Sequence, residues 1–209
     1  ENFPISGMTI SKAMIRALGI IKRSAAMINH KLGILDEKRK NSIVQAADEV
    51  IKGKFDDQFP IDTFQTGSGT SSNMNCNEII ANRASELMGG QIGTREPVHP
   101  NNHVNMGQSS NDVIPTAINI SSMMMIEKDL IPALKNMISV LNNKEAEFKN
   151  ILKIGRTHLQ DATPITLGQE FSGYKEMITK SLKRIEESKE NLRRLAQGGT
   201  AVGTGINTH

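Results

Sequence analysis

"SSNDVIPTAINISSMMMIEKDLIPALKNMISVLNNKEAEFKN", Ser109 to Asn150, keeps apolar residues at helical spacing along its whole length. Pro115 falls in the first turn of this pattern, where a missing N–H is tolerated, whereas Pro132 predicts a kink or bend. An apolar, strand-like run follows at Ile151 to Ile154, then the polar turn "GRTHLQDATP", Gly155 to Pro164. The helical period resumes in "TLGQEFSGYKEMITKSLKRIEESKENLRRLAQ", Thr166 to Gln197, and stops at Gly198-Gly199. Two long helices joined this way predict an antiparallel pair inside a bundle.

Toward the N-terminus the helices are shorter. Ile10, Met14, Ile15, Leu18, Ile21, Met27 and Ile28 recur at intervals of mostly three and four, the mark of a half-buried helix over Thr9 to Asn29. A second helix starts after Asp36, a good N-cap, with Glu37 in its first turn and Gly53 as its stop. Phe55 to Asn73 reads as a loop leading into a helix over Met74 to Met88, which Gly89-Gly90 ends. Gln91 to Gln108 has two X-Pro pairs and no period, so it reads as an extended connection between domains. The fold class is mainly α, with a mostly helical domain at residues 1–107 and the beginning of a long-helix domain at 108–209.

Composition agrees and removes several functional classes. Of the 209 residues 37% are hydrophobic but only 3% aromatic, with no Trp and eleven Met, so the core is aliphatic and suits packed helices. Net charge is +3, and Lys and Arg alternate with Glu along helices, which gives nucleic-acid binding little support. Cys76 is the sole cysteine, so neither an intrachain disulfide nor a thiolate cluster is available. No apolar stretch approaches the roughly 20 residues of a membrane span, and no secretory leader pattern opens the chain. The expected place is the cytoplasm or a mitochondrial matrix, with no membrane partner.

Three segments hold more small hydrogen-bonding groups than turns require. They are "TGSGTSSNMN", Thr66 to Asn75, "QSSND", Gln108 to Asp112, and the polar turn with His158. The first two precede helices, so each is either a plain N-cap or a cradle for an anion, built from unpaired N–H groups, hydroxyls and amides. "GSGT" lacks the Lys of a nucleotide-binding loop. Taken together, three sets of neutral donors and a histidine suit acid-base work on a small carboxylate.

"TGSGTSSNMNCNEIIANRA", "HPNNHVNMGQSSNDVIPT", "GRTHLQDATPITLGQEFSGY" and "GGTAVGTGINTH" together resemble the class II fumarases, the metal-independent fumarate hydratases of the aspartase and fumarase superfamily. The likeness runs through the whole chain from "FPISG", and His158 favours fumarase over aspartase, which places Gln there. The resemblance implies reversible hydration of fumarate to (S)-malate, no metal and no other cofactor. It implies substrate contacts from Ser68, Gly69, Thr70, Ser109, Ser110, Asn111 and Thr157, and a proton-transfer role for His158. It further implies a homotetramer assembled through a helical bundle, each active site drawing on three chains. The family's proton-abstracting serine lies in a Gly- and Ser-rich loop that no stretch here matches, so these 209 residues, as the N-terminal portion of such an enzyme, are expected to be inactive alone.

A second anion site in the family would fall at His99, Pro100, Asn101 and Asn102. Here Asn102 replaces the family's Asp, and Glu96 stands where an Arg is common, with Arg95 one place away. Two rival readings remain: a related lyase acting on aspartate, argininosuccinate or adenylosuccinate, and a non-enzymatic helical assembly module.

Overall fold

The computed structural model describes residues 3–209. Contacts group the chain into two compact units, one running to Ser122 and including Arg194–His209, the other Met123–Arg193. The boundary between these contact units falls inside a helix.

In the first unit, α1 (Lys12–Lys31) begins where Ser11 Oγ accepts the Met14 N–H, and α2 (Glu37–Ile51) where Asp36 accepts that of Arg39. Gly19 lets α1 meet α2 closely: a Cβ there would lie 2.9 Å from Ile51 Cγ1. Ala17, Leu18, Ile43, Ala46, Ala47 and Val50 have no exposed surface, and α3 (Thr70–Leu87) adds Cys76, Ile80 and Ala84 to the same core. α4 (Ser110–Met125) adds Val113 and Ala117.

Three readings need correction here. Met27 and Ile28 are exposed, and the buried stripe of α1 instead passes through Lys22, Ala26 and Asn29, because polar groups of the 91–108 segment meet it. That segment is no free connection: Val98 and Val104 are buried, Arg39 Nε donates to Pro97 O at 2.8 Å, and residues Pro100–Val104 form a π-helical turn. The third helix starts at Thr70, four residues earlier than its apolar period suggested, so Ser71, Ser72 and Asn73 form its first turn.

In the second unit, a π-helical turn (Ile126–Leu130) precedes α5 (Ile131–Glu147), in which Pro132 sits at the start. The Ile131 N–H bonds back to Ile126 O, five residues away, so the ladder changes register just before a residue that has no N–H to give. β1 (Leu152–Thr157) and β2 (Gln160–Thr166) pair antiparallel with an irregularity between Ile154 and Arg156, so most of the polar turn is itself hairpin. Thr166 and Gln169 then form a capping box for α6 (Leu167–Leu192). α5 and α6 run antiparallel, with Lys175 bonded to Glu145, Lys135 4.0 Å from Glu186, and Phe148 edge-on to Phe171. α6 ends before the glycines because the chain beyond it is held by the first unit's own groups: Asn119 Nδ2 donates to Arg194 O, and Asp112 accepts the Gly198 N–H.

Candidate active site

Gly69 begins α3 with φ +71°, a left-handed conformation, and a Cβ on it would sit 3.0 Å from Ile114. Only glycine meets both conditions without strain. Around it, Thr66 Oγ1 accepts the Ser71 N–H at 3.2 Å, and the Ser68 and Thr70 hydroxyls lie 3.1 Å apart. Ser68 and Thr70 are exposed.

α4 begins in a reciprocal cap. Ser109 Oγ accepts the Asn111 N–H at 3.2 Å, while Asp112 Oδ1 accepts the Ser109 N–H at 2.9 Å. The other Asp112 oxygen takes N–H groups from Gly198 and Thr200, at 3.2 and 2.9 Å, so this carboxylate is consumed by backbone donors inside the protein. Asn111 Nδ2 donates to Ala201 O at 2.7 Å, which seats the glycine-rich tail on the same helix start.

Asn73 joins the two helix starts: from the first turn of α3, its Nδ2 donates to Ser110 Oγ at 3.0 Å. Two positive helix ends, each bordered by neutral hydroxyls and amides, thereby share one face. A cleft of about 500 Å³ opens next to them, lined by Thr66, Gly69, Ser72, Ile114 and Ser121 among others. Such a face can hold a carboxylate by hydrogen bonds and dipoles.

Of the sequence-derived residues, the first unit holds Ser68, Gly69 and Thr70 at the start of α3 and Ser109, Ser110 and Asn111 at the start of α4, the two starts being joined by the Asn73–Ser110 bond. Thr157 and His158 belong to the second unit, at the tip of the β1–β2 hairpin, both exposed. His158 and Leu159 have φ of 51° and 64°, the paired left-handed conformation of a two-residue hairpin turn usually given to Asn and Gly. Holding two ordinary residues there costs about 1–2 kcal/mol each, a strain that displays the imidazole at the turn.

At the proposed second anion site, His99 Nδ1 accepts the N–H groups of Asn101 and Asn102, at 3.1 and 3.2 Å. Those donors face the imidazole. His103 Nδ1 in turn accepts the His99 N–H at 2.8 Å, and burial, with Arg39 and His99 nearby, lowers its pKa. Arg95 lies 3.7 Å from Glu78. Among the described residues no three His, Cys, Asp or Glu side chains gather as a metal site.

Asn73 and Asp112 lie within the donor-rich segments but were given no role of their own by the sequence, and Lys22 lies outside those segments. A lysine on the apolar stripe of α1 between Leu18 and Ala26, and an asparagine one turn before Asn77 on the buried face of α3, are the signals that mark such residues.

A family profile described as "Lyase" matches residues 1–209. The chain belongs to this lyase family. Over 209 residues the chain is 57% identical to the class II fumarate hydratases of Halobacterium salinarum and Campylobacter jejuni. It is 55% identical to the mitochondrial fumarate hydratase of Schizosaccharomyces pombe. The alignments cover the whole chain but 44%, 45% and 40% of those proteins, so the chain spans less than half their length. Its backbone matches the crystal structure of class II fumarase from Schistosoma mansoni with a TM-score of 0.95 at 46% identity, covering 100% of this chain and 44% of that one. The fumarate lyase:delta crystallin protein of Brucella melitensis gives the same TM-score at 44% identity. The motif resemblance to class II fumarases thus holds over the full sequence, and the mainly α fold is that of these lyases. Among the described residues no helix is long and apolar enough to cross a membrane.

Proposed function

We propose that this chain supplies part of the active site of a class II fumarase, which adds water reversibly across the double bond of fumarate to give (S)-malate. The observation that carries the reading is the Asn73–Ser110 bond, which sets two donor-lined helix starts side by side without an unpaired carboxylate between them. In this reading Ser68, Gly69, Thr70, Ser109, Ser110, Asn111 and Thr157 bind the substrate carboxylates. Fixed neutral donors stabilise the negative charge that grows on a carboxylate as the neighbouring carbon loses its proton. His158 takes part in proton transfer, and the base for the carbon-bound proton comes from residues other than these.

Residues 1–107 then correspond to the small helical domain and 108–209 to the opening of the central bundle. Homotetramer formation is supported by apolar side chains left exposed on α5 and α6, among them Met137, Val140 and Met177. The reaction belongs in the cytoplasm or, given relatives named mitochondrial, in the mitochondrial matrix.

The test is turnover of malate by the intact protein and by His158→Asn. Asn tolerates the left-handed φ of 51° at this position, so the hairpin keeps its shape. The expected fall in kcat is ~10²- to 10⁴-fold. A kcat within twofold of the parent removes His158 from the mechanism, and turnover of aspartate or argininosuccinate in place of malate transfers the reading to a related lyase.

A further inference from the structure

Lys22 is fully buried on the apolar face of α1. Burying an ammonium is unfavourable unless it is well bonded, yet both its hydrogen bonds go to neutral amides: Asn105 Oδ1 at 2.8 Å and Gln108 Oε1 at 3.0 Å. Each amide is committed at its other end. Asn105 Nδ2 donates to Gln108 O at 3.2 Å, and Gln108 Nε2 donates to the carbonyls of Val104 and Met106 at 3.0 and 3.3 Å. Only acceptors can face an ammonium, so Lys22 determines which way both amides turn.

These amides lead directly to the donor-lined face. Gln108 immediately precedes Ser109. Asn105 Oδ1 also accepts a longer bond of 3.4 Å from Asn73 Nδ2, the group that donates to Ser110 Oγ. The titratable groups facing Lys22 are Cys76 of α3 and Asp112 of α4, while the 91–108 segment meets it with the neutral Asn105 and Gln108. Burial pushes the Cys76 thiol up to about 12, so it is neutral, and Asp112 is occupied by three backbone N–H groups.

We propose that Lys22 is a positioning residue of the α3–α4 site: its ammonium orients Asn105 and Gln108 behind Ser109–Asn111 and sets a buried positive charge behind neutral donors, complementary to a dicarboxylate. The proposal rests on the fumarase reading of that face. In a poorly solvated interior such a charge is little screened by salt and acts beyond its own hydrogen bonds. Burial also lowers the Lys22 pKa to about 8, with Cys76 and Asp112 opposing the shift. The protonated form favours the dianion, so the contribution is present below about pH 8 and is lost as pH rises past it.

The experiment uses the intact protein, with malate as substrate and succinate as an unreactive dicarboxylate, from pH 6.5 to 9.5. For the parent, the malate KM and succinate Ki rise as pH passes about 8. For Lys22→Met both constants are raised roughly tenfold at pH 7 and no longer rise through pH 8, with kcat within threefold. Lys22→Arg, which stays charged, restores both constants toward parent values and removes the rise below pH 9.5. A purely structural role would lower the folded fraction, and so kcat, while leaving KM and its pH dependence alone. Absence of malate turnover in the parent overturns the fumarase reading and this proposal with it. Turnover with a parent KM flat from pH 7 to 9.5, or with the same rise in parent and folded variants, overturns the role of Lys22 alone.

Discussion

In the first unit, Leu18, Ile43, Val50 and Ile80 have no exposed surface, and the buried cluster takes side chains from all of α1 to α4. In the second, α5 buries only Ile131 and α6 only Gly168, while Leu152 is 73% and Met177 65% exposed. Both units carry helical periodicity of similar clarity. The difference is that four helices can enclose one another's apolar faces, whereas two antiparallel helices share a single seam and leave their remaining faces uncovered. The chemistry divides along the same line: the paired helix starts stand on a packed core, and His158 stands on a hairpin between two helices that share one seam.

Leu18→Ala is expected to break the first unit hardest, since it leaves a cavity among residues with no route to relax. A loss of about 2–5 kcal/mol in urea unfolding is expected. Loss below about 1 kcal/mol would mean that the first unit is no better packed than the second.

Gly168→Ala probes the seam of the second unit, where a Cβ would lie 2.7 Å from Glu145 O and 2.9 Å from Lys149 Cα. Overpacking of backbone on backbone is expected to cost about 1–3 kcal/mol, read by circular dichroism on heating. An unchanged melting profile would show that α5 and α6 do not close on each other at this glycine.

A smaller, pH-dependent effect is expected at Asp62. Its carboxylate accepts N–H groups from Ser6, Phe64 and Gly7 together with the Ser6 hydroxyl, and these bonds hold its pKa at about 2. A carboxylate lowered in the folded state stabilises above its unfolded pKa of ~4, and the gain disappears as pH falls from there through about 2. Hydrogen exchange at Ile5–Gly7 should therefore accelerate over that window, and Asp62→Asn should exchange fast at every pH. A parent rate independent of pH-corrected chemistry would show that the segment is held by other contacts.

Met177→Ser should be nearly silent in the chain by itself, changing stability by about 0.5 kcal/mol or less. The same substitution should weaken self-association in the intact protein, measured by sedimentation. Equal effects of Met177→Ser and Leu18→Ala on the isolated chain would erase the contrast between the units.

Much of the candidate site was legible because helix starts advertise themselves: Gly69, Ser109 and Asp112 are capping chemistry, and capping acts over three or four residues of sequence. Asp112 was read as part of a polar knot, but its three backbone partners include Gly198 and Thr200, 86 and 88 positions away. No local rule reaches that far. Lys22 was hidden for a related reason. Its neighbours Leu18, Ile21 and Ala26 signal a buried face, and a lysine there looks like a break in the stripe until Asn105 and Gln108 are found opposite it.

By itself the sequence determined the helical class, the cap of α2, the break near Pro132 and the three donor-rich segments, all of which depend on a residue and its near neighbours. Tertiary structure alone decided that the 91–108 segment packs into the core, that α6 ends at Leu192, that Asn73 ties α3 to α4, and that Lys22 is buried. Periodicity reports that a helix has an apolar face but not what covers it. A buried polar group is tolerated only when a partner arrives from elsewhere in the chain, so its presence depends on long-range packing that local spacing does not encode.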